Sequence, residues 1–164
     1  MALSGWRAYI GRVPSALYNR DILRLAASIP HQRRLDAPQA SVSKQSPVCG
    51  SRVTVDLVTD GEGRVAALGQ EVRACALGQA SAALMGAGAV GRSAADLAAV
   101  RDELAAFLAG GRDDPGGWPG LAVFRDARPF TARHASILLA FQAAAEAAAL
   151  ASVMPSSAAS AAAR

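Results

Sequence analysis

The chain has 164 residues, of which 52% are apolar and 18% are charged, and its net charge is +4. This length is sufficient for one domain with a full hydrophobic core. Lysines and arginines are scattered as singles or pairs without interleaved aromatic residues, and glycine, proline or charge interrupts every long apolar run, so we expect neither a nucleic-acid surface nor a membrane span.

The sequence divides into three parts. We expect a poorly ordered leader over residues 1–14, one domain over residues 15–153 and a disordered, low-complexity tail over residues 154–164. The leader carries two arginines but lacks the apolar core of a secretory signal. Two cysteines without such a signal indicate a reducing, cytoplasmic compartment in which thiols have chemical roles.

The first predicted element is a helix over residues 15–29, where apolar side chains recur at helical spacing. Pro14 lies at its start and Pro30 closes it. The following residues 31–44 are polar and show no period, which is typical of a loop. A third strand of the sheet is nevertheless expected near residues 38–46.

A β-hairpin follows. Residues 52–58 alternate between apolar and polar side chains, which is typical of a half-buried strand. Residues 60–63 supply a turn with two glycines, and residues 65–74 return as the partner strand.

The rest of the domain is predicted to be helical. One helix begins at Cys75 and fades at residues 86–88, and Ser93 is the expected N-cap of the next. A Gly/Pro-rich connector spans residues 112–120, and the last helix runs over about residues 131–153. Together with the hairpin, these elements predict an α+β fold: a small antiparallel sheet with helices packed on one face.

The two cysteines flank the hairpin and lie 26 positions apart. Cys49 is followed by Gly50, and Cys75 opens a helix. This layout resembles the U-type iron–sulfur cluster assembly scaffolds, namely IscU, SufU and the N-terminal domain of NifU. The resemblance implies a SufE/NifU-like fold. In that family three cysteines, an aspartate and often a histidine bind an iron–sulfur cluster or a zinc ion.

The resemblance assigns the metal and the cluster to Cys49, Cys75 and His134. The family's aspartate corresponds to Ser51, and its third cysteine corresponds to Ala135 at the start of the last helix. Thiolates and imidazole are suitable donors for iron, for iron–sulfur clusters and for zinc. A methyl group cannot donate and a hydroxyl is a poor ligand, so the resemblance implies a labile cluster or metal.

The implied function is that of a scaffold or carrier in iron–sulfur cluster assembly, which is not itself an enzyme. The implied partners are a cysteine desulfurase, which supplies sulfur, and apo iron–sulfur acceptor proteins; a homodimer is left open. The alternatives are a SufU-like zinc-dependent sulfur acceptor and a metal-free paralogue that serves only in interactions. From the residues alone, Cys49 and Cys75 also fit small buried side chains or a disulfide, and His134 fits an ordinary hydrogen-bonded histidine.

Overall fold

The structure is a computed structural model that describes residues 17–154. The predicted leader, and the predicted tail beyond Met154, lie outside the described residues. The elements in chain order are α1 (Arg20–Ala26), β1 (Ala40–Gln45), β2 (Arg52–Thr59), β3 (Val65–Arg73), α2 (Ala76–Gly88), α3 (Ala94–Leu108), a 3-10 helix (Leu121–Ala127) and α4 (Thr131–Ser152).

The three strands form one antiparallel sheet in the order β1–β2–β3. β2 and β3 are the predicted hairpin, and Arg52 lies opposite Arg73 where the hairpin opens. The alternating apolar side chains of β2 are fully buried: Val53, Val55 and Leu57. Because alternate residues of a strand point to opposite faces, these three lie on the face that packs against the helices. The α+β prediction is confirmed.

β1 is the third strand expected near residues 38–46. The interpretation of residues 31–44 as a loop is therefore wrong for residues 40–44. Ala40 and Val42 are buried and alternate with exposed residues, and β1 pairs with β2 along its whole length. The backbone ladder thus stabilises a stretch whose composition alone is too polar to indicate a strand.

The segment before β1 covers the second face of the sheet. Asp56 on β2 is fully buried there and accepts hydrogen bonds from Arg34 Nε at 2.7 Å and from the Leu35 N–H at 3.0 Å. Gly69 on β3 allows this approach, because a Cβ at that position would collide with the Arg33 carbonyl oxygen. Helices therefore cover one face and an irregular segment covers the other.

Capping residues explain where two helices begin. Asn19 caps α1 and accepts a hydrogen bond from the Ile22 N–H at 3.0 Å. The helix predicted over residues 15–29 is therefore shorter, and residues 15 and 16 lie outside the described part of the chain. Ser93 caps α3 as predicted and forms a capping box with Asp96. The 3-10 helix before α4 is an element that the sequence pattern did not indicate.

The alanine-rich helix α4 is the centre of the core and packs against β1, β2, α2 and α3. Among the described residues, it is the one helix long and apolar enough to cross a membrane by length and composition, but 61% of its most apolar window is buried inside the protein. Gly78 of α2 lets the two helices approach closely, because a Cβ there would lie 2.7 Å from Ser136 Oγ. This contact brings α4 to the cysteine end of the sheet.

Candidate functional site

Cys49 lies in the tight turn that joins β1 to β2. The Ser46 N–H donates to the Ser51 carbonyl at 2.8 Å and the Gly50 N–H donates to the Ser46 carbonyl at 3.1 Å. Gly50 has φ = 72°, a conformation that favours glycine. Cys49 is exposed and its thiol is free, so the turn presents this sulfur to solvent.

Cys75 is the N-cap residue of α2, as its predicted place at the start of a helix requires. It lies two residues after the end of β3, and β3 is paired with β2 so that Arg73 lies opposite Arg52. Antiparallel pairing therefore returns the chain to the end of the sheet from which Cys49 leads into β2. Cys75 is half-buried and free.

Two serine hydroxyls join the cysteines into one group. Cys49 Sγ donates to Ser51 Oγ at 3.0 Å, and Cys75 Sγ lies 3.2 Å from Ser136 Oγ on α4. The Ser136 hydroxyl in turn donates to Ser51 Oγ at 3.4 Å. Both serines are almost fully buried, with 5% of Ser51 and 1% of Ser136 exposed. We call Cys49, Ser51, Cys75 and Ser136 the thiol–hydroxyl cluster.

Hydrogen bonds favour the ionised form of Cys49. The Ser46 hydroxyl, followed by the hydroxyl and backbone N–H of Ser51, lowers the pKa of Cys49 from 9.0 to about 7. Partial burial opposes this effect and the Ser136 hydroxyl adds a smaller contribution in the same direction as the other donors. Cys49 is therefore ionised more readily at neutral pH than an ordinary cysteine, and a thiolate is the form that attacks sulfur and binds metals.

The structure places His134 apart from the two cysteines. Its Nε2 lies 3.1 Å from the Ala127 carbonyl oxygen and 3.0 Å from the Arg128 carbonyl oxygen, at the end of the 3-10 helix. Within residues 17–154, no three His, Cys, Asp or Glu side chains are grouped closely enough to hold a metal ion together. The structure thus brings together two of the three assigned residues, and a ligand role for His134 stays a prediction.

Ser136 is the residue that sequence reasoning missed. The comparison with the family placed the lost donor at Ala135, but the neighbouring Ser136 is the one whose side chain contacts Cys75. A signal existed, because Ser136 is the one polar side chain in the run ASILLAF over residues 135–141. A buried hydroxyl in such a run needs a partner, and here the partners are a thiol and a second hydroxyl.

The thiol–hydroxyl cluster offers two good ligands and two poor ligands for iron or zinc. Two cysteine thiolates from different elements are good ligands for zinc and for iron–sulfur clusters, which ordinarily take four such donors. The two hydroxyls lie beside the sulfurs but are weak donors to these metals. Two further ligands must come from elsewhere for a complete coordination sphere.

Comparison with known proteins identifies the family. No family model matches the chain, and no curated protein matches it. Among solved structures, a nitrogen-fixing NifU-like protein (N-terminal) from Brucella abortus is 36% identical, with a TM-score of 0.79 over 84% of this chain and 96% of that chain. A putative iron–sulfur cluster assembly scaffold protein for the SUF system from Fervidobacterium islandicum AW-1 is 18% identical, with a TM-score of 0.76 over 82% of this chain and 98% of that chain.

A third solved structure, described as a hypothetical protein, is 22% identical and has a TM-score of 0.71 over 82% of this chain and 98% of that chain. At 18% and 22% identity, the second and third structures show a shared fold and nothing more. The identity to the Brucella protein, over nearly the whole of that domain, goes further. The chain belongs to the family of NifU-like N-terminal domains, the U-type family that its cysteine layout resembles.

Proposed function

We propose that this protein is a scaffold or carrier in iron–sulfur cluster assembly and that Cys49 and Cys75 are its cluster ligands. The observation that carries the proposal is the convergence of two free thiols, one from each side of the hairpin, on a shared pair of hydroxyls. The family supports the same role. Iron and sulfide are the cargo of such a protein and not a resident cofactor.

The sulfur would arrive as a persulfide on a cysteine desulfurase. The Cys49 thiolate attacks the outer sulfur of the persulfide, a new S–S bond forms at Cys49, and the donor leaves as a thiolate with the electron pair of the broken S–S bond. The desulfurase breaks the C–S bond of its substrate, so this protein need not be an enzyme. Apo iron–sulfur proteins would receive the finished cluster, in the cytoplasm.

The ligand count favours a labile cluster. Cys49 and Cys75 supply two thiolates, and the adjacent hydroxyls of Ser51 and Ser136 are weak ligands. His134 is the third predicted ligand, but within the described residues its imidazole is not grouped with the two cysteines and would have to approach them to share a metal. Ordering a donor that is not already in place costs free energy, so a cluster held this way would be bound less tightly than one with a preformed third donor.

The alternative of a sulfur acceptor needs only one of the two thiols. Cys49 is exposed, and its pKa is lowered to about 7, chiefly by the Ser46 hydroxyl. An exposed thiolate can accept a persulfide sulfur without any iron. In this second candidate function, zinc bound beside the acceptor takes the place of a cluster.

Anaerobic reconstitution with iron and sulfide separates these functions. A charge-transfer absorption band at roughly 400 nm, with iron and sulfide bound, would establish the cluster carrier. A parallel anaerobic incubation supplies Zn²⁺ and a small-molecule persulfide, whose outer sulfur Cys49 takes while the donor leaves as a thiolate. Bound zinc without colour in this incubation, together with a persulfide on Cys49 and no cluster after iron and sulfide, would establish the acceptor. If the protein binds no metal and forms no persulfide, the remaining alternative is a metal-free protein that serves only in interactions.

Variants test the ligand assignment in the same experiment. Cys49→Ala and Cys75→Ala should each abolish cluster binding, and either variant that retains all of its iron would refute the site. His134→Asn should lower the iron content if His134 is a ligand. The matched control is His31→Asn, because His31 has φ = 57° and asparagine tolerates this backbone conformation.

A further inference from the structure

Two arginines face each other at the cysteine end of the sheet. Arg52 on β2 lies directly opposite Arg73 on β3, and the third residue in this row is Gln45 on β1. Both arginines are exposed, and 79% of the Arg73 side chain is accessible. Like charges in directly opposed positions of a sheet are destabilising. The row therefore carries an electrostatic cost that the fold does not need.

Nearby carboxylates do little to offset this charge. Arg52 Nη2 donates to the neutral Gln45 amide oxygen at 3.2 Å, and within the described chain no carboxylate forms an ion pair with it. Arg73 lies 3.7 Å from Glu71 on its own strand, and both side chains are largely exposed. Such an exposed pair contributes little. Two guanidinium groups thus remain available to an external anion.

The position of the pair ties it to the thiols. Arg52 follows Ser51 of the thiol–hydroxyl cluster directly, and Arg73 precedes Cys75 by two residues. The exposed Cys49 lies in the turn that leads into Arg52. Because Val53 faces the helices, Arg52 and its partner Arg73 lie on the opposite face of the sheet. An anionic segment bound by the two arginines is therefore held at the same end of the sheet as Cys49 and reaches this sulfur around that end.

We propose that Arg52 and Arg73 bind carboxylates on the protein segment that delivers sulfur to Cys49. This inference rests on the proposed function and specifies its partner: the donor segment carries aspartate or glutamate near its persulfide. Guanidinium groups bind carboxylates in bidentate geometry, which orients a flexible segment as well as attracting it. The transfer itself is the persulfide exchange described above, which needs no oxidant or reductant.

The two opposed arginines also predict how their removal affects the unfolding temperature. Removing the two charges relieves repulsion in the sheet, so Arg52→Gln/Arg73→Gln should unfold at the same temperature as the wild type or higher. If the two arginines served only to stabilise the fold, this double variant would instead unfold at a lower temperature. The double variant is therefore expected to keep or gain thermal stability while it loses the preference for acidic donors.

The test uses three synthetic peptide disulfides that differ only in flanking charge: Glu-Glu, Gln-Gln and Lys-Lys beside the cysteine. The rate of peptide thiol release is measured on the full chain, and peptide mapping confirms reaction at Cys49. The wild type should react about tenfold faster with the acidic peptide than with the basic one, and the ratio should fall toward one as salt screens the charges. Arg52→Gln/Arg73→Gln should lose this ratio, and Arg52→Glu/Arg73→Glu should reverse it.

The control double variant is Arg24→Gln/Arg101→Gln, which has the same net charge but changes arginines on helices, and it should keep the wild-type preference. Equal rates with all three peptides, or the same loss of preference in the control, would overturn the docking proposal while Cys49 still reacts. Failure of Cys49 to react with any peptide would instead reject the sulfur-accepting role in the proposed function. The two failures are thus distinguishable.

Discussion

The substitution Ser51→Ala tests how the site holds the Cys49 thiolate. The Ser51 hydroxyl accepts from Cys49 Sγ at 3.0 Å while the thiol is protonated, and it donates to the sulfur once the thiol has ionised. The Ser46 hydroxyl makes the largest contribution to the lowered pKa of Cys49, which is about 7, and Ser51 contributes next. Removing the Ser51 hydroxyl leaves the other donors in place. The pKa of Cys49 should therefore rise without returning fully to 9.0.

The expected effect is larger on the titration than on the rate. If the variant raises the pKa by about one unit, the thiolate fraction at pH 7 falls from about one half to about one tenth. Each thiolate becomes about threefold more nucleophilic, because nucleophilicity increases with thiol pKa. The alkylation rate at pH 7 should thus fall only about twofold. The midpoint of the pH–rate profile is the sensitive quantity.

The assay is iodoacetamide labelling between pH 5 and 10, roughly the range over which such thiols titrate, with the Cys49 peptide quantified by mass spectrometry. The matched control is Ser43→Ala, which removes a hydroxyl that bonds Thr54 at 2.9 Å instead of a thiol. Its midpoint should stay at the wild-type value. An unchanged midpoint in Ser51→Ala, or an equal shift in the control, would show that hydroxyl bonding does not set the thiolate population.

Three further predictions concern metal binding at the site and the packing of the domain. Ser136→Cys should raise Zn²⁺ affinity by about tenfold or more in a chelator competition and Ala135→Cys should not, because of these two neighbours it is residue 136 whose side chain contacts Cys75; equal gains would contradict this geometry. Gly78→Ala should lower the free energy of unfolding in urea by about 1–3 kcal/mol, since its methyl group would lie 2.7 Å from the Ser136 hydroxyl oxygen. A wild-type urea midpoint would show that this approach is not tight. Asp56→Asn should lower the same quantity by about 2 kcal/mol at pH 7. Burial raises the pKa of Asp56, but hydrogen bonds from an arginine, a serine and a backbone N–H outweigh it and leave the pKa below 3.8. The stability difference should therefore shrink as the pH falls below about 4 and the carboxylate is protonated. The exposed control Asp102→Asn should change little at any pH, and an equal loss there would refute the reasoning.

Much of the fold follows from local patterns. The alternation in β2 and the glycine-containing turn after it predict the hairpin, and Ser93 predicts the start of α3 through its capping geometry. β1 is harder, because its sequence ASVSKQ has only two apolar residues and its strand depends on pairing with β2. The start of α1 also escaped the pattern, since the capping side chain is Asn19 and the apolar spacing extends beyond it.

The meeting of Cys49 and Cys75 could be predicted from the sequence, but the contribution of Ser136 on α4 could not. The hairpin alone places Cys49 and Cys75 at one end of the sheet, because the second strand of an antiparallel pair returns the chain to the end where the first strand began. The contribution of α4 depends on the rotation of that helix, and one residue in a helix corresponds to about 100°. A shift from Ala135 to Ser136 therefore changes which side chain meets the sulfurs.

That rotation is fixed by tertiary packing. Gly78 allows α2 to lie against α4 at Ser136, and the Ser81 hydroxyl donates to the Ile137 carbonyl at 2.5 Å one residue further along. These two contacts orient the start of α4 so that a hydroxyl faces Cys75 while His134 turns toward the end of the 3-10 helix. The chain thus gathers two thiols at the cysteine end of the sheet and places the Ser136 hydroxyl, a weak ligand for iron and zinc, beside Cys75. If the proposed metal or cluster binds there, its remaining ligands must come from His134, from a partner or from solvent, so two cysteine thiolates alone would hold it less tightly than four such donors.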